Sequence, residues 1–355
     1  MKKHLMAVSA AALMASPLAV MAGDLNIYGQ ANGSADFLDD GNDSSQYLAN
    51  RGSRLGITGS EYLGMGLTGL FQFEVNLSYE DVFGNGRESF AGLQGNFGTV
   101  LAGQLEDPLF KALDGLDLFA DRAGSVHVPM MARPSGETLH SNALAYATPD
   151  FGGFSGVLVY GPEQGTDDGD RFAAQLQFDG QVENGGNVTA SLGYLQANEA
   201  VVDGLYEEMG MDPTDEDKLK VWQFTAGYEM TDVWRAFGFY QDYSASDVFE
   251  DDKVYGGGIG FMVSPQVELL AQLSHYDADM SDADRTVYAF GADYFVTDRT
   301  TFYGIVGFAN NDDNVGVHAT DPSAYGSSAS GESEGLNVEG GEDPWIVSVG
   351  VQHNF

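Results

Sequence analysis

The sequence predicts an all-β fold: a transmembrane antiparallel β-barrel of about sixteen strands. Three observations carry that expectation. Short runs of alternating apolar and polar residues recur along most of the 355-residue chain. The connectors between these runs alternate between short and long. Beyond residue 22 no stretch approaches the ~18 uninterrupted apolar residues of a spanning helix, whereas barrel strands cross a bilayer on alternation alone.

The first element stands apart from the barrel. "MKKHLMAVSAAALMASPLAVMA" sets Lys2 and Lys3 ahead of an apolar stretch and ends on Val20-Met21-Ala22, the layout of a secretory signal peptide over residues 1–22. Its apolar stretch falls short of the roughly 20 residues of a membrane anchor. The remainder, 23–355, is expected to form one barrel domain, because no linker, composition shift or fixed-length repeat divides it.

Strand starts are expected near 24, 53, 67, 87, 99, 139, 154, 171, 187, 220, 233, 253, 266, 285, 299 and 344. An even count returns both termini to one end, as closure requires. In "VWQFTAGYEM", Trp222, Phe224, Ala226 and Tyr228 oppose Gln223, Thr225 and Gly227; in "QVELLAQLSHY", Val267, Leu269, Ala271 and Leu273 oppose Glu268, Leu270, Gln272 and Ser274. The last run, "WIVSVGVQHNF", puts Trp345, Val347, Val349, Val351 and Phe355 on one face, with aromatics bracketing an aliphatic centre as interfacial girdles do.

Short turns fall at "EYLGMG", "GNFG", "PDFGGF", "GQVENGG", "MTD", "VSP" and "VTD". Long polar connectors are expected at 36–51, 105–138, 161–170, 198–219, 244–252, 278–284 and 311–343. Short turns at one end and long loops at the other is the layout of an outer-membrane barrel. The competing architecture is a secreted soluble β-rich sandwich or β-helix with a binding or adhesion role. Against it stand the aromatic bracketing and the placement of charge mainly in loops.

Composition excludes several functions. The formal net charge is -38, and loss of the leader's two lysines leaves 13 basic against 53 acidic residues, so nucleic acid is not an expected partner. With no cysteine, an exported chain must hold together without disulfides. The acidic clusters "TDDGDR", "NNDDN" and "DPTDED" lack the spacing of a calcium hand and read as solvated loop carboxylates, so no metal or other cofactor is expected. The mature histidines His127, His140, His275, His318 and His353 are scattered and form no catalytic pattern with serine or paired acids, so no enzymatic activity is expected.

Five passages carry a family resemblance: "GDLNIYGQANGSADF", "GSRLGITGSEYLGMGLTGLFQFE", "ESFAGLQGNFGTVLAGQ", "YATPDFGGFSGVLVYG" and the terminal Phe355 after an alternating strand. In this order they resemble the trimeric general-diffusion porins of Gram-negative bacteria over essentially the whole mature length. The resemblance implies a homotrimer in outer-membrane lipid, passing small hydrophilic solutes and ions through a water-filled pore. A substrate-selective porin, for an anion or a small organic acid, is the alternative within that family. The segment "EDVFGNG" is short for a loop that latches onto a neighbouring subunit.

The resemblance also implies that the third loop, 105–138, folds inward and narrows the pore, its carboxylates facing wall arginines. Within it, "LEDPLFKALDGLDLFADRAG" has helical spacing. At 100° per residue Asp107, Asp114, Asp117 and Asp121 share one side, while Leu109, Leu113, Leu116 and Ala120 share the opposite stripe. Gly115 favours two short turns over one long helix. Matched along the chain, Asp117 and Asp121 fall on the family's pore-facing acids, and Arg54 and Arg87 on two of its wall arginines. Arg54 points inward by period as well, if Leu55 and Ile57 point outward. The third basic position is occupied by Leu139 or His140, and Arg133, at the loop's end, is the candidate substitute. Facing charges across such a gap set a transverse field that orients polar solutes, while the acidic excess biases the pore towards cations. The bland alternative for Arg54 and Arg87 is ion pairing that braces the loop.

Overall fold

The computed structural model describes residues 24–78, 83–130, 139–162, 170–182, 185–197, 218–230, 233–245, 249–325 and 338–355. The expected signal segment, Arg133 and most of "TDDGDR" and "DPTDED" lie outside the described residues. The strands are β1 (Asp24–Asp39), β2 (Ser44–Asn50), β3 (Arg54–Gly64), β4 (Leu67–Asn76), β5 (Gly86–Gly95), β6 (Gly98–Glu106), β7 (Leu139–Ala147), β8 (Phe154–Gly161) and β9 (Arg171–Gln181). They continue as β10 (Asn187–Ala197), β11 (Leu219–Met230), β12 (Trp234–Ala245), β13 (Phe249–Ser264), β14 (Val267–Asp277), β15 (Arg285–Thr297), β16 (Thr300–Asn311) and β17 (Trp345–Asn354).

Each pairs antiparallel with its neighbours, and β1 closes the barrel against β17 from Gln30↔Asn354 to Asp39↔Trp345. On its other side β1 pairs first with β3 and then with β2, so β2 and β3 are two pieces of one stave interrupted at 51–53. The barrel therefore has sixteen staves.

Expected strand starts agree with the observed ones to within a residue, except at β13, which begins at Phe249 instead of near 253. The expected long connectors 36–51 and 244–252 are correspondingly shorter. β1 runs to Asp39 and β2 occupies 44–50, leaving a turn at 40–43. "SSQYLAN" and "FEDDKV" sit at the long-loop rim, where backbone pairing continues without the oily face that signals a strand in lipid.

Polarity is inverted relative to a soluble domain. Trp222 and Phe224 are about half exposed, while Gln223 and Thr225 between them are buried; Leu269 and Leu273 face out, and Glu268, Gln272 and Ser274 face in. At the short-turn end the chain reverses tightly, and Met65 and Gly66 both take positive φ (54° and 78°), as a two-residue hairpin turn demands. The buried apolar clusters lie inside the barrel, where wall residues such as Val287 and Ile305 meet Leu118 and Phe119 of the third loop.

Candidate functional site

The third connector turns into the barrel. It opens with helix α1 (Pro108–Asp114), capped by Asp107, whose carboxylate accepts from Leu109 N at 2.7 Å and Phe110 N at 3.2 Å. Pro108 suits the first helical turn, where its missing N–H costs nothing. The helix stops at Gly115 and continues as tight turns to a short 3-10 turn at Val128–Met130, the divided form that Gly115 foretold.

Glycines on the wall make room for this loop. A Cβ on Gly193 would lie 2.6 Å from Leu109, on Gly227 2.7 Å from Leu116, on Gly258 2.8 Å from Leu118, and on Gly291 2.7 Å from Phe119. The docking side thus includes Leu109, Leu113 and Leu116 as expected, and adds Leu118 and Phe119; Ala120 is only half-buried. Wall side chains satisfy the loop's backbone: Gln223 Nε2 donates to Leu109 O at 2.8 Å, Gln272 Nε2 to Gly124 O at 3.1 Å, and Ser274 Oγ to Val126 O at 2.9 Å.

Of the four expected lumenal acids, two are turned elsewhere. Asp107 is 4% exposed, spent on the helix cap and on His140 Nε2 at 2.8 Å. Asp117 is 7% exposed and binds Phe119 N, Ser125 Oγ, Val126 N and Gln272 Nε2 at 2.6–3.1 Å. Both are internal braces, because an N-cap and a multiply hydrogen-bonded turn draw a carboxylate back onto its own backbone. Asp114 and Asp121 keep 41% and 30% of their side chains exposed.

Asp121 takes the left-handed backbone (φ 58°), and its Oδ2 lies 2.7 Å from Arg54 Nη1 and 3.2 Å from Gln30 Nε2. Arg54 and Asp121 are in contact, so they bridge loop and wall instead of facing each other across open water. Arg87 does not reach Asp121. Its Nε lies 2.5 Å from Glu74 Oε1, its Nη2 3.8 Å from Glu106, and its Nη1 3.3 Å from Asn76 Oδ1. At the third basic position His140 is buried against Asp107, away from the lumen.

Within the loop, burial raises the carboxyl group of Asp121, but the charge and hydrogen bond of Arg54 outweigh it and hold Asp121 below the ordinary range. Asp114 is held well above that range, first by its seat on the wall and then by the like charges of Asp121, Asp117 and Glu106; lumen water moderates the first of these. Burial lowers His127 despite the pull of Asp117 and Asp121, so it is a neutral neighbour 4.0 Å from Asp114.

Several charged groups escaped sequence reasoning. Lys111 Nζ lies 2.6 Å from Glu88 and 4.0 Å from Glu106. Arg122 clamps Asp293 at 2.8 and 3.0 Å, stacks 4.4 Å over the Tyr303 ring and donates to Gln352 at 2.8 Å. Arg235 pairs with Glu268 at 2.9 Å and, with Arg122, borders a recess of about 300 Å³ near the short-turn end. The parity of Arg235 with inward Gln241 was an available signal; Arg122 had none beyond its place beside Asp121. Among the described residues no group of three or more histidines and acids is arranged to hold a metal.

The family model described as Gram-negative porin matches residues 7–314. Outer membrane porin protein 32 of Delftia acidovorans is 28% identical, with all of both chains covered. The major outer membrane protein P.IB of Neisseria gonorrhoeae is 27% identical over 88% of this chain and 86% of that protein. Among solved structures, the anion-selective porin from Comamonas acidovorans superposes with a TM-score of 0.76 at 23% identity, covering 94% of this chain and 100% of that one. The trimer form of OmpT, an outer membrane protein of Vibrio cholerae, gives 0.63 at 15% identity, over 94% and 100%.

Proposed function

Because this chain belongs to the Gram-negative porins, and is a passive diffusion channel of the outer membrane, we propose that its third loop, 105–138, sets the constriction. Asp114 and Asp121 supply the loop's lumenal charge, and Arg54 and Arg87 the basic wall. The observation that carries this reading is the contact between Asp121 and Arg54, which ties the middle of the loop to the stave beside β1. The wall-facing leucines and Phe119 hold the rest of the loop down, each burial contributing about 1.5–3 kcal/mol.

Small hydrophilic solutes and ions cross the remaining aqueous gap by diffusion, with no chemical step. Charges fixed on low-dielectric walls order the water there, so apolar solutes lose more than polar ones by displacing it. The functional unit of this reading is a homotrimer, exported by the leader 1–22 and built from one barrel domain, 23–355. Trimeric assembly is supported by the likeness to a porin fold solved as a trimer.

Single-channel recordings in planar bilayers test the constriction. Asp114→Asn and Asp121→Asn together should change conductance and shift the reversal potential in a salt gradient towards anions. Asparagine tolerates the left-handed backbone at 121, so the exchange removes charge with little backbone strain. Unchanged conductance and reversal potential would remove the loop from this role.

A further inference from the structure

The basic wall is not free to attract anions. Arg54 is engaged by Asp121, Arg87 by Glu74, and Lys111 by Glu88. Glu106 lies between the last two cations, 3.8 Å from Arg87 and 4.0 Å from Lys111, as a third carboxylate for two positive charges. Glu74, Glu88 and Glu106 come from β4, β5 and β6, three successive staves at the foot of α1. A register shift in the β4–β5 ladder between Phe73 and Val75 gives β5 an extra residue, so the consecutive residues Arg87 and Glu88 both reach lumenal partners.

Further donors hold two of these carboxylates in place. Tyr28 Oη donates to Glu74 Oε2 at 2.7 Å, and Gln72 Nε2 to Glu88 Oε2 at 3.3 Å. Adding Asp114 and Asp121 gives five acids against Arg54, Arg87 and Lys111 among the described residues of this region.

We infer that Glu74, Glu88 and Glu106 determine the channel's ion preference: by neutralising Arg87 and Lys111 they turn the basic side of the gap into a net negative one that favours cations. An anion drawn to Arg87 meets Glu74 and Glu106 at similar range, so the field it feels is that of the whole group. A cation meets the same group with the opposite sign. The inference rests on the third loop being the constriction, since only there does the wall charge act on every passing ion.

Glu106→Gln is the cleanest variant, because its contacts are the long ones and the pairs Arg87–Glu74 and Lys111–Glu88 remain. The cation-to-anion permeability ratio, from reversal potentials across a salt gradient, should exceed one in the unaltered protein and fall severalfold in this variant. In the double variant Glu74→Gln, Glu106→Gln it should fall by roughly tenfold. Arg87→Gln should move the ratio the other way, which a bracing role alone would not produce. Heat-modifiable migration on gels checks that each barrel has folded.

An anion-preferring native channel, or a ratio unmoved in folded Glu106→Gln and in Arg87→Gln, overturns the inference. If these wall variants leave the ratio alone while Asp121→Asn shifts it, the loop reading stands and this one falls. If the wall variants shift it and the loop variants change neither conductance nor ratio, the loop reading falls instead.

Discussion

Asp114, Asp117 and Asp121 lie within eight residues of one another, yet each has a different environment and task. Asp117 is consumed by three hydrogen bonds inside the loop and a fourth from Gln272 on the wall, so Asp117→Ala should lower the stability of the docked loop by about 2–3 kcal/mol, read as earlier thermal unfolding in detergent. Asp114→Ala should leave that transition in place. The raised carboxyl group of Asp114 makes a second prediction. A carboxyl above its ordinary value gains its proton earlier as pH falls, so cation preference should weaken on acidification while the pH is still above 3.8, and Asp114→Asn should flatten that response. Reversal potentials recorded from neutral to mildly acid solution check both. Arg54 was legible in the sequence because strand period alone aims it inward. The roles of Asp107 and Asp117 were not, since a helical wheel assigns a direction to Cβ but says nothing of a carboxylate curling back to cap its own backbone.

The inserted loop and the row of wall glycines fit as a ridge fits a groove. Replacing Gly227 with valine should push Leu116 off the wall towards the lumen, costing about 1–3 kcal/mol of loop stability and lowering single-channel conductance. Equal conductance in a folded Gly227→Val barrel would mean that the loop does not bound the gap on this side. A second loop is anchored to the same interior. Gly124 N of the third loop donates to Ala319 O at 2.9 Å, and Arg51 joins Asp36, Thr320 and the Tyr325 hydroxyl out of water's reach. Arg51→Met leaves the Asp36 carboxylate buried without its countercharge and should destabilise the barrel by about 3–5 kcal/mol, measurable as a fall in melting temperature. The glycine groove was invisible in the sequence because its members sit on four different strands, β10, β11, β13 and β15, and only barrel closure lines them up. Most strand boundaries were legible, because lipid on one side and water on the other writes an alternation into each stave; β2 and the start of β13 rise out of that regime and lost the signal.

At the scale of the whole molecule the acidic excess acts at long range, whereas the paired charges of the pore act locally. Distant loop carboxylates are screened over about 10 Å at 0.1 M salt and about 3 Å at 1 M. Cation preference should therefore decline with ionic strength but persist at 1 M, carried there by Glu74, Glu88, Glu106 and the lumenal acids of the third loop. On the proposal made above, the third loop sets the width of the passage. The most direct test is the exclusion of graded polyethylene glycols, with single-channel conductance recorded alongside, in the native protein and in a folded variant whose residues 108–124 are replaced by a short glycine-serine link. A wider size cut-off and a higher conductance in the variant are the predicted result, and an unchanged cut-off at unchanged conductance would contradict it.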